Sequence, residues 1–262
     1  MTNMAEPTNS VGAIFAEDGY YLAPGIYPDD ELRELDADFD RIVEQLERSG
    51  EEINARWGGG IMDVLDGGAS TVIHTHNVHR YSSRWLQALR QERFLDAAEQ
   101  ILGPDIILHH TKLFQKPPRE GAPFPIHQDW WYFPTRNDTM IAAIIFLTDA
   151  DESTGGLCVY PGSHRLGRLE NSSGLHAAES LVAYPLTEAK VISANRGDVL
   201  FFSYFTLHGS LPNRSDHFRK TVLVQMHSGS DYVLENEEVD HVNERLVLRG
   251  WNHHMSRARA RE

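Results

Sequence analysis

The chain carries a single cysteine, Cys158, in 262 residues. That excludes an intramolecular disulfide and any cysteine-based zinc site. Cys158 lies in the apolar run Leu157-Cys158-Val159-Tyr160, which reads as core rather than as a reactive thiol. Long apolar runs are missing too, and none approaches the roughly 18 residues of a membrane span. The opening M-T-N-M-A-E-P-T-N-S lacks the basic and apolar regions of a signal peptide. A soluble, cytoplasmic protein with no membrane partner is the expectation. Positive charge is scarce, with 24 Lys and Arg against 38 Asp and Glu and a net charge of −14. Phosphate binding leans on clustered Lys and Arg, so a nucleic-acid partner is disfavoured and a small-molecule substrate expected. The pattern does not set the oligomeric state.

Hydrophobic residues make up 41% of the chain, enough for a sizeable core. Between Asp29 and Ser49, the residues Leu32, Leu35, Phe39, Ile42, Val43 and Leu46 recur at helical spacing. Pro28 and Asp29 make a start and Gly50 a stop, which predicts an amphipathic helix with a charged outer face. A second helix is expected from Ser82 or Ser83, carrying Trp85, Leu89, Phe94, Leu95 and Leu102, and ending at Gly103-Pro104.

From Asp105 the texture changes. Short branched and aromatic runs alternate with Gly, Pro, Asn and Asp clusters, predicting strands over 106–115, 126–132, 140–148, 157–160, 190–193, 199–205 and 221–227. Seven or so strands without intervening helices suggest a sandwich or jelly roll. No internal repeat, low-complexity segment or linker interrupts the chain. The expectation is one domain over 1–262, mainly β with flanking helices: a helical part over about 1–104 and a jelly-roll (cupin-like, double-stranded β-helix) core over about 105–230.

The stretch I-H-Q-D-W-W-Y-F-P, Ile126 to Pro134, sets two ligand-type side chains beside four aromatic rings. In a strand, residues two apart share a face, so His127 and Asp129 can reach one point, and Trp131 and Phe133 would continue that face. With 14 histidines in the chain, one His-x-Asp is expected by chance. The strongest third ligand is His208, at the end of an apolar strand before a Gly-Ser turn. Two histidines and one carboxylate on one face of an octahedron leave three open positions, the facial triad of non-haem Fe(II) oxygenases. Arg219 follows eleven residues later (219 − 208 = 11). An arginine projecting into an apolar pocket needs an anion, and a dicarboxylate cosubstrate would supply one. Ser210 could add a hydroxyl. On spacing alone, Arg219 is equally a surface residue and Ser210 a turn residue.

A competing cluster, I-H-T-H-N-V-H-R, holds His74, His76 and His79, with His109 and His110 further on. Three histidines would suit zinc or a cupin-type oxygenase, but no strand–turn signal places them in a pocket. His164, after a Pro-Gly turn, reads as a structural hydrogen-bonding residue.

The ordered blocks K-P-P-R-E-G, P-I-H-Q-D-W-W-Y-F-P, G-G-L-C-V-Y-P-G-S-H, G-D-V-L-F-F, L-H-G-S and N-R-S-D-H-F-R-K resemble the phytanoyl-CoA dioxygenase family of Fe(II)/2-oxoglutarate oxygenases. The resemblance runs from about residue 78 to 227. It implies a hydroxylase of an unactivated C–H bond that uses Fe(II), O2 and 2-oxoglutarate and releases succinate and CO2. It implies His127, Asp129 and His208 as iron ligands, and Arg219 and Ser210 as binders of the cosubstrate carboxylate. Gln128, Lys112 and Arg80 match further cosubstrate positions, although pleat alternation would point Gln128 the other way and Arg80 stands where relatives often carry Lys. A family aromatic position appears here as Ile145. The aromatics Trp130 to Phe133 would line or support the pocket wall. An acyl-CoA substrate would need cations, for which Lys116, Arg119, Arg136, Arg165 and Arg168 are candidates, but the family also hydroxylates amino acids and secondary metabolites. Halogenating relatives usually replace the carboxylate ligand with a small residue, which Asp129 argues against. The alternative from another class is a non-catalytic jelly-roll binding protein.

Overall fold

A computed structural model of the chain describes residues 10–53, 72–169, 183–234 and 242–261. Residues 1–9, read above for a signal peptide, lie outside the described residues.

The helix Asp29–Ser49 forms as its spacing predicts. Pro28 precedes it, three acids occupy its first turn, and Gly50 ends it in the left-handed region at φ 75°. Its apolar stripe, from Leu32 through Leu46, is buried against the β-core with Trp85, Phe94 and Leu95. Each such side chain contributes about 1.5–3 kcal/mol on burial. The second expected helix is two, Ser83–Ala88 and Glu92–Leu102. Ser82 caps the first, accepting from the backbone N–H groups of Arg84 and Trp85. A further helix, Val11–Asp18, is capped by Ser10.

The strands are β1 (Tyr20–Ala23), β2 (Ile73–His76), β3 (Ile106–Lys116), β4 (Phe124–His127), β5 (Ile141–Phe146), β6 (Leu157–Val159), β7 (Lys190–Val191), β8 (Val199–Ser203), β9 (His208–Ser210), β10 (Arg219–Ser228) and β11 (Leu246–Arg249). They build an antiparallel jelly roll of two sheets. The larger runs β1-β8-β5-β10-β3-β11, with β2 also on β3, and the smaller runs β4-β9-β6-β7. The strands β1 and β2 come from the part expected to be helical, and β11 lies beyond residue 230.

Alternation divides β5 cleanly. Ile141, Ala143 and Ile145 face the helices, while Ala142, Ile144 and Phe146 face the smaller sheet. The expected strand 126–132 is cut short at His127. The backbone N–H groups of Asp129 and Trp130 both donate to the carbonyl of Tyr204, and Tyr132 N donates to Asp129 O, so the chain turns. The pair His127 and Asp129 therefore spans a strand end and a turn, and strict alternation does not extend to Trp131 and Phe133.

The strands β4 and β9 approach very closely. His127 stands opposite His208, and Phe124 opposite Ser210. A Cβ on Gly209 would lie 2.6 Å from the Phe124 carbonyl oxygen and 3.1 Å from Pro125. Only glycine fits without pushing the strands apart. Gly209→Ala should cost about 1–3 kcal/mol, as overpacking does, and lower the Tm. A Tm equal to that of the wild type would show that β4 and β9 tolerate a wider spacing.

Candidate functional site

His127 closes β4 and His208 opens β9, so their rings meet across the pairing with centroids 4.1 Å apart. Each Nδ1 is tied to the backbone. His127 Nδ1 donates to the Pro125 carbonyl and His208 Nδ1 to that of Thr206, both at 2.9 Å. Those bonds fix the tautomer that leaves each Nε2 as a lone-pair donor. His127 Nε2 is 3.4 Å and His208 Nε2 3.6 Å from Asp129 Oδ1. One ligand atom from each residue lies within 4.8 Å of the others, and this is the one such group among the described residues. Burial, then His127, pushes His208 down to about 4. Burial alone would raise the Asp129 carboxyl, but His208, His127 and a bond from Gln225 hold it down to about 2. A neutral His208 and an ionised Asp129 suit a divalent cation.

The three donors face a cavity of about 450 Å³. One wall is the inner face of β10 and β3. Cross-strand register pairs Arg219 with Lys116, Thr221 with Phe114, Leu223 with Lys112, and Gln225 with His110. Arg219 is 3% exposed. Its Nη1 donates to Thr221 Oγ1 at 2.9 Å, and its Nε has no partner. Burial pushes the guanidinium down to about 10. The next residue, Lys220, points outward to Asp36 at 3.0 Å and Asp40 at 2.5 Å on the helix Asp29–Ser49. Thus the outward cation has two acids, whereas Arg219 has none among the described residues. Ser210 lines the same end of the cavity.

Lys112 also lines the cavity, where burial pushes its ammonium down to about 8 while Asp129 opposes the shift. Gln128 does not. Its Nε2 donates to the Phe205 and Gly167 carbonyls at 2.6 and 2.9 Å, and its Oε1 accepts from Leu169 N, so it braces a loop on the far side. Arg80 is exposed and pairs with Glu244, away from the cavity. Ile145 lies in the core beneath the helices, and its neighbour Ile144 is the wall residue. Of the aromatics, Tyr132 and Phe133 line the cavity, while Trp130 packs under Arg168 at 5.3 Å.

Several wall residues escape a reading along the chain. The segment I-H-T-H is β2, paired with β3, and it turns His74 and His76 into the cavity mouth beside His110. The i, i+2 spacing was the available signal. Among the described residues these histidines make no metal-holding group, and His79 instead sits 3.4 Å from Glu244. A bulge makes His110 and Leu108 the successive partners of Gln225 and Met226, and the rings of His109 and His110 both lie against Phe133. His164 hydrogen-bonds the Ala16 carbonyl at 3.2 Å. Cys158 is buried, its thiol pushed up to about 11 by burial. Gln225 is fully buried in an apolar strand, and its Nε2 donates to Asp129 Oδ2 at 3.3 Å.

The sequence profile described as Phytanoyl-CoA dioxygenase (PhyH) matches residues 15–221. The chain belongs to this family. It is 32% identical over 157 residues to a probable alpha-ketoglutarate-dependent hypophosphite dioxygenase of Stutzerimonas stutzeri, covering 56% of this chain and 54% of that protein. It is 33% identical over 140 residues to the peroxisomal phytanoyl-CoA dioxygenase of Bos taurus, covering 49% of this chain and 41% of that protein. The chain thus spans about half the length of these two relatives. An ectoine dioxygenase of Streptomyces avermitilis is 25% identical over 241 residues, 84% of this chain and 79% of that protein. Among solved structures, the alpha-ketoglutarate-dependent epimerase SnoN superposes with a TM-score of 0.71 at 20% identity, covering 92% of this chain and 97% of that one. EctD from S. alaskensis, solved with 2-oxoglutarate and 5-hydroxyectoine, gives 0.71 at 21% identity, covering 94% and 86%. Both likenesses concern the fold. Among the described residues, no helix is long and apolar enough to cross a membrane.

The Gln225 contact is open to test. Gln225→Leu keeps the volume and removes the donor, and should weaken metal binding by about 10–100-fold with the fold intact. Titration with Mn(II) measures it, and an unchanged affinity would show that Asp129 needs no support from β10.

Proposed function

We propose that this chain is an Fe(II)/2-oxoglutarate-dependent dioxygenase that hydroxylates an unactivated C–H bond of a small organic molecule. One observation carries the reading. A His-Asp-His donor set opens into the same cavity as Arg219, a buried guanidinium with an unpartnered Nε and no carboxylate beside it among the described residues.

The donor set fits a divalent iron. Two imidazole Nε2 atoms and Asp129 Oδ1 would hold it on one side and leave the cavity side open. Arg219 and Ser210 would hold the far carboxylate of the cosubstrate by charge-assisted hydrogen bonds. Between those ends Ile144, Leu157, Phe202 and Leu223 line the cavity and exclude water from the cosubstrate's carbon chain. Tyr132, Phe133, His74, His76 and Lys112 line the region where the substrate would bind. When bound, Fe(II) and 2-oxoglutarate together supply the oxidising chemistry, with O2 consumed and succinate and CO2 released.

A small organic substrate fits better than an acyl-CoA. None of Lys116, Arg119, Arg136, Arg165 and Arg168 lines the cavity. Lys116 is fully buried, Arg119 pairs with Asp216, and Arg168 pairs with Asp138. Asp129 fills the coordination position that a halide would need, so hydroxylation is favoured over halogenation.

The test is succinate release stimulated by a panel of small molecules, with mass spectrometry of the product. His127→Ala, Asp129→Ala and His208→Ala should each abolish turnover, and full activity in any one would remove that residue from the site. Arg219→Ala should raise the KM for 2-oxoglutarate by an amount matching roughly 2–5 kcal/mol, the scale for a buried charge pair losing one partner. Arg219→Lys should recover only part, because an ammonium cannot pair bidentately. An unchanged KM in both would place the cosubstrate carboxylate elsewhere.

A further inference from the structure

Lys116 ends β3 directly opposite Arg219 in the register of β10. It is 0% exposed. Its Nζ donates to Ser210 Oγ and to the Leu211 carbonyl, both at 2.6 Å, and stands 5.3 Å from the centre of the Phe124 ring. Its hydrogen-bond partners are neutral, and among the described residues no carboxylate pairs with it. Burial, then the neighbouring Arg219, holds the ammonium well below the usual lysine range. Two cations side by side in a dry interior are costly unless an anion joins them. Each would accept a carboxylate's charge, and the cavity end that Ser210 and Arg219 line is where one can arrive.

The direction of the Lys116–Ser210 bond adds specificity. A hydroxyl has one proton and two lone pairs. Ser210 Oγ accepts from Lys116 on the buried side, so its own O–H remains to be donated on the cavity side. Lys116 itself stands behind the wall and does not line the cavity.

We propose that Lys116 is a positioning residue of the cosubstrate site: through Ser210 it fixes a hydroxyl as a donor at the far end of the cavity, and with Arg219 it makes that end select a 2-oxo acid bearing a second carboxylate over a monocarboxylate of equal length. The proposal rests on the 2-oxoglutarate reading and adds to it the residue that enforces the dicarboxylate preference.

The experiment compares 2-oxoglutarate with 2-oxovalerate, which has the same carbon chain but no far carboxylate. Both are titrated calorimetrically and without oxygen into Fe(II)-loaded wild type, Lys116→Met, Lys116→Gln and Ser210→Ala. Melting curves accompany each variant. The wild type should strongly prefer 2-oxoglutarate. Lys116→Met should loosen 2-oxoglutarate roughly tenfold or more, the scale of one charge-assisted hydrogen bond, while 2-oxovalerate barely changes. Ser210→Ala should shift the preference the same way, and adding Lys116→Met to it should cost less than in the wild-type background, because the two act in series. Lys116→Gln keeps a donor toward Ser210 without the charge and should fall between. Equal loosening of both ligands in Lys116→Met would reduce Lys116 to a structural role and overturn the proposal. Should that variant not fold, a Ser210→Ala preference equal to the wild type's overturns it instead. A wild type that binds both acids alike would sink the cosubstrate reading itself, a separate outcome.

Discussion

The close pairing of β4 with β9 is the constraint on which the site depends. It sets His127 opposite His208, and Gly209 permits it because any side chain there would meet the backbone of Phe124 and Pro125. The turn after His127, held on the Tyr204 carbonyl, then delivers Asp129 to the same point. All three donors thus come from the smaller sheet or the turn that continues it. The larger sheet contributes Gln225, which reaches across to the second oxygen of Asp129. That contact ties the donor set to the larger sheet, so metal binding and the packing of the two sheets support one another.

The larger sheet, in turn, sorts side chains by parity. Along β10 the residues Val222, Val224 and Met226 join the core beneath the helices, while Arg219, Thr221 and Leu223 line the cavity. The helices therefore have a structural rather than a chemical part. They cover the outer face with apolar side chains and supply Asp36 and Asp40 to Lys220. That leaves the inner face to carry polar groups, among them Arg219, which has no carboxylate partner among the described residues.

Much of this was legible in the sequence, and the exceptions share one cause. The strands over 106–116 and 219–228 show as branched and aromatic runs, and the helix 29–49 shows as a stripe, because both signals are local. His127, Asp129, His208 and Arg219 stand out as polar residues at the ends of apolar segments. What stays hidden depends on register between distant strands. Lys116 looks like a loop cation until β10 sets Arg219 against it. His74 and His76 read as a competing metal cluster that nothing local places in a pocket, until β2 pairs with β3 and sets them in the cavity wall. The bulge at His109 leaves no mark in the sequence, because an extra residue on one strand is defined only by its partner. Gln128 shows the reverse: pleat alternation turned it away from the site, the resemblance drew it in, and the side chain braces Gly167, Leu169 and Phe205. Arg80 kept a family charge but meets Glu244 instead.

Net charge misleads in one instructive way. An excess of 14 negative charges argues against polyanionic partners, yet says nothing about the inside of the cavity. With acids so abundant, a cation within their reach finds one: Arg84, Arg93, Arg196, Lys220 and Arg249 each pair with at least one carboxylate. In such a chain an unpaired cation carries information, because chance pairing is easy and its absence has to be built. Arg219 and Lys116 are kept apart from every described carboxylate by the strand ends and apolar walls that enclose them. The paired outer cations and the cationic end of the cavity follow from one arrangement, in which Lys220 meets the helix acids outside and the charge of Arg219 is left for a ligand to answer.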